Sequence, residues 1–192
     1  MNIVAFNGSA RRGGNTAAML KAAMAPLEAA GIETELVELG GRKMHGCIAC
    51  YKCFENKDHR CAVNNDFMNE CIDRMHDADG ILLGSPTYYA NISTEMKALI
   101  DRAGLVARAN GNSLRRKVGA GVVVARRGGA VHAFNSLNHF FFINEMVVPG
   151  ADYWNMGFGL EKGDVLKDEE AMNTMRILGE NMAWVMEALH KA

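Results

Sequence analysis

The feature that most constrains this chain is an alternation, repeated along its length, of short apolar runs with stretches of helical periodicity. The runs are Asn2–Phe6 (NIVAF), Ile32–Leu39 (IETELVEL), Gly80–Ser85 (GILLGS), Val118–Ala125 (VGAGVVVA) and Met146–Val148 with its flanks (EMVVPG). Several are apolar almost without a break, as strands covered on both faces are. Between them, Asn15–Ala30 places Ala18, Met19, Ala22 and Ala23 at helical spacing, and Gly31 stands where a helix stops. Asp66–Asp77 gathers Phe67, Cys71, Ile72 and Met75 on one face, and Ser93–Arg108 gathers Met96, Leu99, Ile100 and Ala103. Val131–Glu145 and Asp168–Lys191 complete the series. Strands that alternate with helices predict a parallel sheet covered on both faces. No repeat, low-complexity tract or linker interrupts the pattern, so residues 1–192 read as a single domain.

Composition narrows the partners. A net charge of −1 offers nothing to nucleic acid or to an anionic membrane. No run approaches the roughly 20 apolar residues of a membrane helix, and the opening MNIVAFNGSA has neither the basic start nor the cleavage site of a signal peptide. A cytoplasmic protein is expected, in a compartment where structural disulfides are rare.

Ligands in parallel sheets of this kind sit at the carboxyl ends of the strands. The loop after the first strand, NGSARRGGNT, runs from Asn7 to Thr16 into a helix. Its small residues let backbone N–H groups approach an anion, and the helix N-terminus adds positive dipole. Ser9, Asn15 and Thr16 add donors, and Arg11 or Arg12 adds charge. Neither G-x-x-x-x-G-K-[ST] nor G-x-G-x-x-G is present, so a single terminal phosphate fits best, and FMN carries one. After the third strand, SPTYYANIS supplies Pro86, Thr87, the flat rings of Tyr88 and Tyr89, and the polar Asn91, the mixture a flavin ring needs. After the fourth, ARRGGAV offers Gly128 and Gly129 for close backbone approach. Its Arg126 and Arg127 either attract the phosphates of NAD(P)H or form an exposed basic loop.

Residues 44–62 form a cysteine-rich insertion, with Cys47, Cys50, Cys53 and Cys61 spaced x2, x2 and x7. Three cysteines at this spacing converge from one loop, and a fourth can close the set. The spacing resembles the compact runs that hold [4Fe–4S] clusters. Zinc also takes four thiolates, though usually from two separate C-x-x-C pairs, and thiols without metal remain a third reading. His45 and His59 flank the run as alternative ligands or tuning groups. Cys71 falls on an apolar helix face and reads as core. Phe140–Phe142 reads as core or as a subunit contact.

Taken in order, NGSARRGGNT, the cysteine run, Asn65-Asp66, DADGILLGSPTYYANIS and KALIDR at Lys97–Arg102 resemble the iron–sulfur flavoproteins, a branch of the NADPH-dependent FMN reductase group. The resemblance implies a flavodoxin-like, doubly wound five-stranded parallel sheet of order 2-1-3-4-5. It implies FMN held by Ser9, Arg11, Asn15 and Thr16 at the phosphate, with Pro86, Thr87, Tyr88, Asn91 and Gly128 on the ring side. It further implies a [4Fe–4S] cluster on Cys47, Cys50, Cys53 and Cys61, a homodimer or homotetramer, NAD(P)H as electron donor, and a small-molecule or protein redox partner. The final gap of seven residues is longer than in the best-known members. No acid–base side chain stands out, so no catalytic residue is expected. The rival readings are a cluster-free NAD(P)H-dependent FMN or quinone reductase, a zinc-stapled binding module, and a nicotinamide-binding domain with Glu38 on the ribose.

Overall fold

The computed structural model describes residues Met1–Lys191. Five strands, β1 (Asn2–Asn7), β2 (Glu33–Glu38), β3 (Gly80–Pro86), β4 (Val118–Ala125) and β5 (Met156–Phe158), form one sheet of order β2-β1-β3-β4-β5. Every pairing is parallel. This is the doubly wound flavodoxin-like order expected above. The helices are α1 (Asn15–Ala29), α2 (Lys52–Asn56), α3 (Met68–Asp77), α4 (Thr94–Ala109), α5 (Ala130–Ile143) and α6 (Glu169–His190), with a short 3-10 turn at Asp164–Lys167. Two N-caps are made by the residues that the sequence places there: Ser93 Oγ accepts from Met96 N, and an Asp168 carboxylate oxygen accepts from Ala171 N.

The sheet divides the apolar residues into two cores. Ile3, Ala5, Leu82, Ala120 and Val122 face α1 and α6. Val4, Phe6, Ile81, Leu83 and Val123 face α3, α4 and α5. This period-two division explains why β1, β3 and β4 are apolar almost throughout: neither of their faces meets water, whereas the edge strand β2 exposes Glu33 and Glu35. In β4, Gly121 lies under Leu137 and Gly119 under Phe141; an added Cβ would stand 2.9 Å and 2.6 Å from those side chains. Phe140 and Phe141 are buried, whereas Phe142 is exposed.

The fifth strand corrects the sequence reading. The apolar run at Met146–Val148 does not form a strand of the sheet; Val147 makes a single parallel bridge to Val118 at the amino end of β4. The edge strand is the three-residue Met156–Gly157–Phe158, paired to Val123–Ala125 at the carboxyl end. Its middle residue must be small, because a Cβ on Gly157 would stand 2.6 Å from Met19 Sδ. No helix among the described residues is long and apolar enough to cross a membrane.

Helices α1 and α6 touch most closely at Gly179, where a Cβ would stand 2.2 Å from the Ala23 carbonyl oxygen. In an exposed helix Gly→Ala gains up to about 1 kcal/mol. Here Gly179→Ala is expected to lower stability by about 1–3 kcal/mol, because the helices must move apart. The urea midpoint measures this, and an unchanged or higher midpoint would contradict the contact.

Candidate functional site

The carboxyl ends of β1, β3, β4 and β5 surround one cavity. Of the expected cofactor residues, Ser9, Arg11, Asn15, Thr16, Pro86, Thr87 and Tyr88 line it. Asn91 and Gly128 do not. Asn91 instead closes the turn behind Tyr88: the two residues exchange backbone hydrogen bonds of 2.8 and 3.0 Å. Its side-chain oxygen accepts from Ile92 N and Ser136 Oγ. Gly128 has open space where a side chain would go, and it is Gly129 whose backbone is crowded. At φ +86, an added Cβ there would stand 2.8 Å from Ala90 Cα, so the start of α5 sits hard against the Tyr88–Asn91 turn.

The phosphate end is built from the first loop, though by fewer side chains than the sequence suggests. Ser9 Oγ accepts from Arg11 N at 3.1 Å and shapes the loop. Arg11 donates to the Leu160 carbonyl at 2.8 Å. Asn15 donates its side-chain amide to the Glu161 carbonyl at 2.8 Å and accepts from Gly163 N at 2.7 Å. Both ends of Asn15 are thus engaged by the loop after β5. The start of α1, which follows Gly14 and has no side-chain cap, is also open to an anion. Sequence reasoning missed the loop after β5, whose Gly159, Leu160 and Lys162 line the cavity too; Arg126 after β4, named from the sequence, also lines it. Thr87 Oγ1 is buried with no hydrogen-bond partner among the described residues. An orphaned hydroxyl in a ligand-sized cavity is what a polar ring edge would satisfy. The cavity therefore fits a flavin nucleotide on two counts: an uncapped helix start for the phosphate and an unpartnered donor beside the ring-side loop. Glu38 accepts from Asn7 Nδ2 at 2.7 Å, which engages the carboxylate that the ribose reading needed.

The four clustered cysteines, Cys47, Cys50, Cys53 and Cys61, line a second cavity together with Ile48, Tyr51, Val63 and Arg102. All are free thiols, Cys53 buried and Cys47 and Cys50 exposed. Helix α2, unseen in the sequence, carries Cys53. The segment is held in an unfavourable backbone: Ala49, Tyr51, Lys57 and His59 all have positive φ, a conformation that costs a residue with a side chain about 1–2 kcal/mol. Burial raises the Cys53 pKa, and neighbouring Cys61 and Cys50 raise it further. Thiols packed together resist ionising unless a cationic group joins them. Among the described residues, no three Cys, His, Asp or Glu side chains converge on a single metal-ion point. Four thiolates on one zinc would stand about 3.8 Å apart. A [4Fe–4S] cube takes each cysteine on a different iron and accepts a wider set. Four thiols on one cavity are the donor chemistry such a cluster takes. Neither His45 nor His59 lines the cavity, and Cys71 is core, its pKa pushed up to about 12 by burial.

One guanidinium organises this second site. Arg102, in α4, forms an ion pair with Asp66 in which both side chains are fully buried. It also donates to the Val63 carbonyl at 2.6 Å, the His45 carbonyl at 3.1 Å and Cys61 Sγ at 3.4 Å. Asp66 further accepts from His45 N at 2.9 Å. Burial alone would raise the Asp66 pKa, but the hydrogen bonds from Arg102 and from backbone N–H groups outweigh it and hold the pKa below its ordinary 3.8. Asn69 grips the Cys61 peptide from both sides, donating to its carbonyl at 2.9 Å and accepting from its N–H at 2.8 Å. The sequence offered Asp66 and Arg102 only as parts of a recognisable pattern.

The model of the NADPH-dependent FMN reductase family matches residues 1–161. An iron-sulfur flavoprotein of Methanocaldococcus jannaschii is 34% identical over 198 residues, spanning 100% of both chains. Another, from Methanosarcina thermophila, is 32% identical over 193 residues, 100% of this chain and 98% of its own. Among solved structures, RosB with a bound 8-demethyl-8-formylriboflavin-5'-phosphate intermediate aligns with a TM-score of 0.79 at 16% identity, over 100% of this chain and 81% of its own. A flavodoxin from the domain Archaea aligns at 0.63 and 17%, over 97% and 99%. These two show the fold. The chain belongs to the NADPH-dependent FMN reductase family of oxidoreductases, within its iron–sulfur flavoprotein branch.

Arg102→Met leaves the Asp66 carboxylate buried and unpaired, and is expected to cost about 3–5 kcal/mol in urea unfolding. Adding Asp66→Asn should recover part of that loss. The lowered Asp66 pKa stabilises the fold fully above pH 3.8, where the unfolded carboxylate is ionised, and that contribution fades as pH falls below it. Stability of the Asp66→Asn protein should therefore depend less on pH in that acid range than that of the wild type. Equal acid slopes would refute the assignment.

Proposed function

We propose that the protein is an electron-transfer flavoprotein that binds FMN in the cavity at the strand ends and a [4Fe–4S] cluster in the four-thiol cavity. It would take electrons from NAD(P)H or another donor and pass them to a small-molecule or protein partner. The observation that carries the reading is the pairing, in one chain of this family, of a cavity with an uncapped helix start and an orphaned hydroxyl with a second cavity lined by Cys47, Cys50, Cys53 and Cys61. When bound, the flavin supplies two-electron chemistry and the cluster one-electron transfer. The chain's own part is to bind and orient. The first-turn N–H groups of α1 receive the phosphate, Pro86 and Tyr88 flank the ring, and the Thr87 hydroxyl meets a polar ring atom. Arg126, on the cavity wall, attracts an anionic donor. Arg102 and Asn69 fix Cys61, and Ala49 N donates to Cys47 Sγ at 3.4 Å. Exposed Phe142 and Ile143 on α5 support a homo-oligomer.

Protein purified without oxygen should contain about four irons, about four acid-labile sulfides and one FMN per chain. Cys53→Ser should lose iron and sulfide while keeping FMN. FMN without iron would leave a plain NAD(P)H-dependent reductase with a loop of thiols. Stoichiometric zinc without flavin would make the chain a stapled binding module and overturn the proposal.

A further inference from the structure

The side chains of the first loop leave a charge problem at the phosphate end. Arg11 is engaged by Leu160 and Asn15 by Glu161 and Gly163. Asn15 carries no charge, and Arg11, which spends one N–H on the Leu160 carbonyl, brings a single positive charge to a doubly charged phosphate monoester. The same contacts, however, bind the loop after β5 onto the start of α1. Asp164 stiffens that loop by accepting from Glu161 N at 2.8 Å and Leu160 N at 3.3 Å. At its apex Lys162 faces Gly13, the left-handed turn residue (φ +60) that precedes α1. The Lys162 ammonium nitrogen stands 3.5 Å from where a Gly13 Cβ would be. Lys162 lines the cavity and makes no salt bridge among the described residues. No Asp or Glu lines that cavity. A free ammonium therefore confronts the positive end of an uncapped helix with no counter-charge between them, an arrangement that an anion relieves.

We propose that Lys162 is a cation that helps neutralise the phosphate monoester of the bound flavin nucleotide, presented by a loop that Asn15 and Arg11 clamp onto the helix start. The inference rests on the FMN reading and adds to it a residue one position past the stretch the family model matches. It makes the site selective for FMN over riboflavin through the loop after the fifth strand as well as through the first loop.

The test compares FMN and riboflavin, which share the ring and the ribityl chain and differ in the phosphate. Affinities are read from flavin fluorescence quenching on apoprotein stripped of bound flavin, for wild type, Lys162→Met and Lys162→Arg. Lys162→Met is expected to weaken FMN about 10- to 100-fold, the range of a charge-assisted hydrogen bond. Riboflavin affinity should be unchanged, and Lys162→Arg should restore most of the loss. Unchanged FMN affinity in Lys162→Met overturns the proposal. So does an equal loss for FMN and riboflavin, which would make Lys162 a shaping residue of the loop. Wild-type protein that binds neither flavin would overturn the FMN reading itself, a result distinct from either.

Discussion

The site depends on one buried guanidinium. Residues 44–62 contain no strand and only a five-residue helix. Several of their residues sit in left-handed backbone that side chains disfavour. Such a segment cannot hold a shape by burying its own apolar surface. Its shape is imposed by Arg102, which reaches from α4 to the carbonyls of His45 and Val63, to Asp66 and to Cys61 Sγ. Since α4 packs on β3 within the larger apolar core, the cysteine loop takes much of its rigidity from the sheet through that side chain, with Asn69 holding Cys61 and Cys53 buried in the same core. A planar, permanently charged group with several fixed donors suits this task, and a lysine's point charge would not serve.

The same helix ties the two cavities together. Its N-cap, Ser93, receives the chain from the ring-side loop, with Ser93 N donating to Ser85 Oγ at 2.9 Å. Arg102 lies nine residues further on, about 14 Å along the axis. One rigid element thus positions the turn at Tyr88–Asn91 and the loop bearing the thiols. A spacing of this kind is set by helix rise and does not drift as the two loops move, which matters wherever two redox groups must work at a fixed separation.

The sequence displayed the sheet because a doubly covered strand is apolar at nearly every position. It misplaced the fifth strand for the same reason in reverse. Met146–Val148 is apolar because Met146 belongs to the core, yet only Val147 bridges to the sheet. The true edge strand has three residues, one of them a glycine required by Met19, and carries no apolar signature. The candidate site was legible as residue types and less so as roles. Small residues before a helix pointed to an anion site, and the spacing of Cys47, Cys50, Cys53 and Cys61 pointed to a metal; the structure brings the four thiols to one cavity. What could not be read was which partner each polar group would find. Asp66 and Arg102 are 36 positions apart, and nothing local reveals that they meet.

Asn15 shows why such partners decide a site's chemistry. An amide has one acceptor oxygen and a donor nitrogen, and both ends of this one already bind the loop after β5. Counted from sequence, it is a phosphate ligand. Counted by its bonds, it also brings a second loop to the phosphate end, with one amide N–H still open. Arg11 does the same through Leu160 and keeps its remaining donors and its charge. The groups open to a ligand are then these donors, the uncapped N–H groups of α1, the Thr87 hydroxyl, and the charges on the loop so held. In an α/β fold of this kind the first loop need not supply every contact, because its side chains can recruit a neighbouring loop that does.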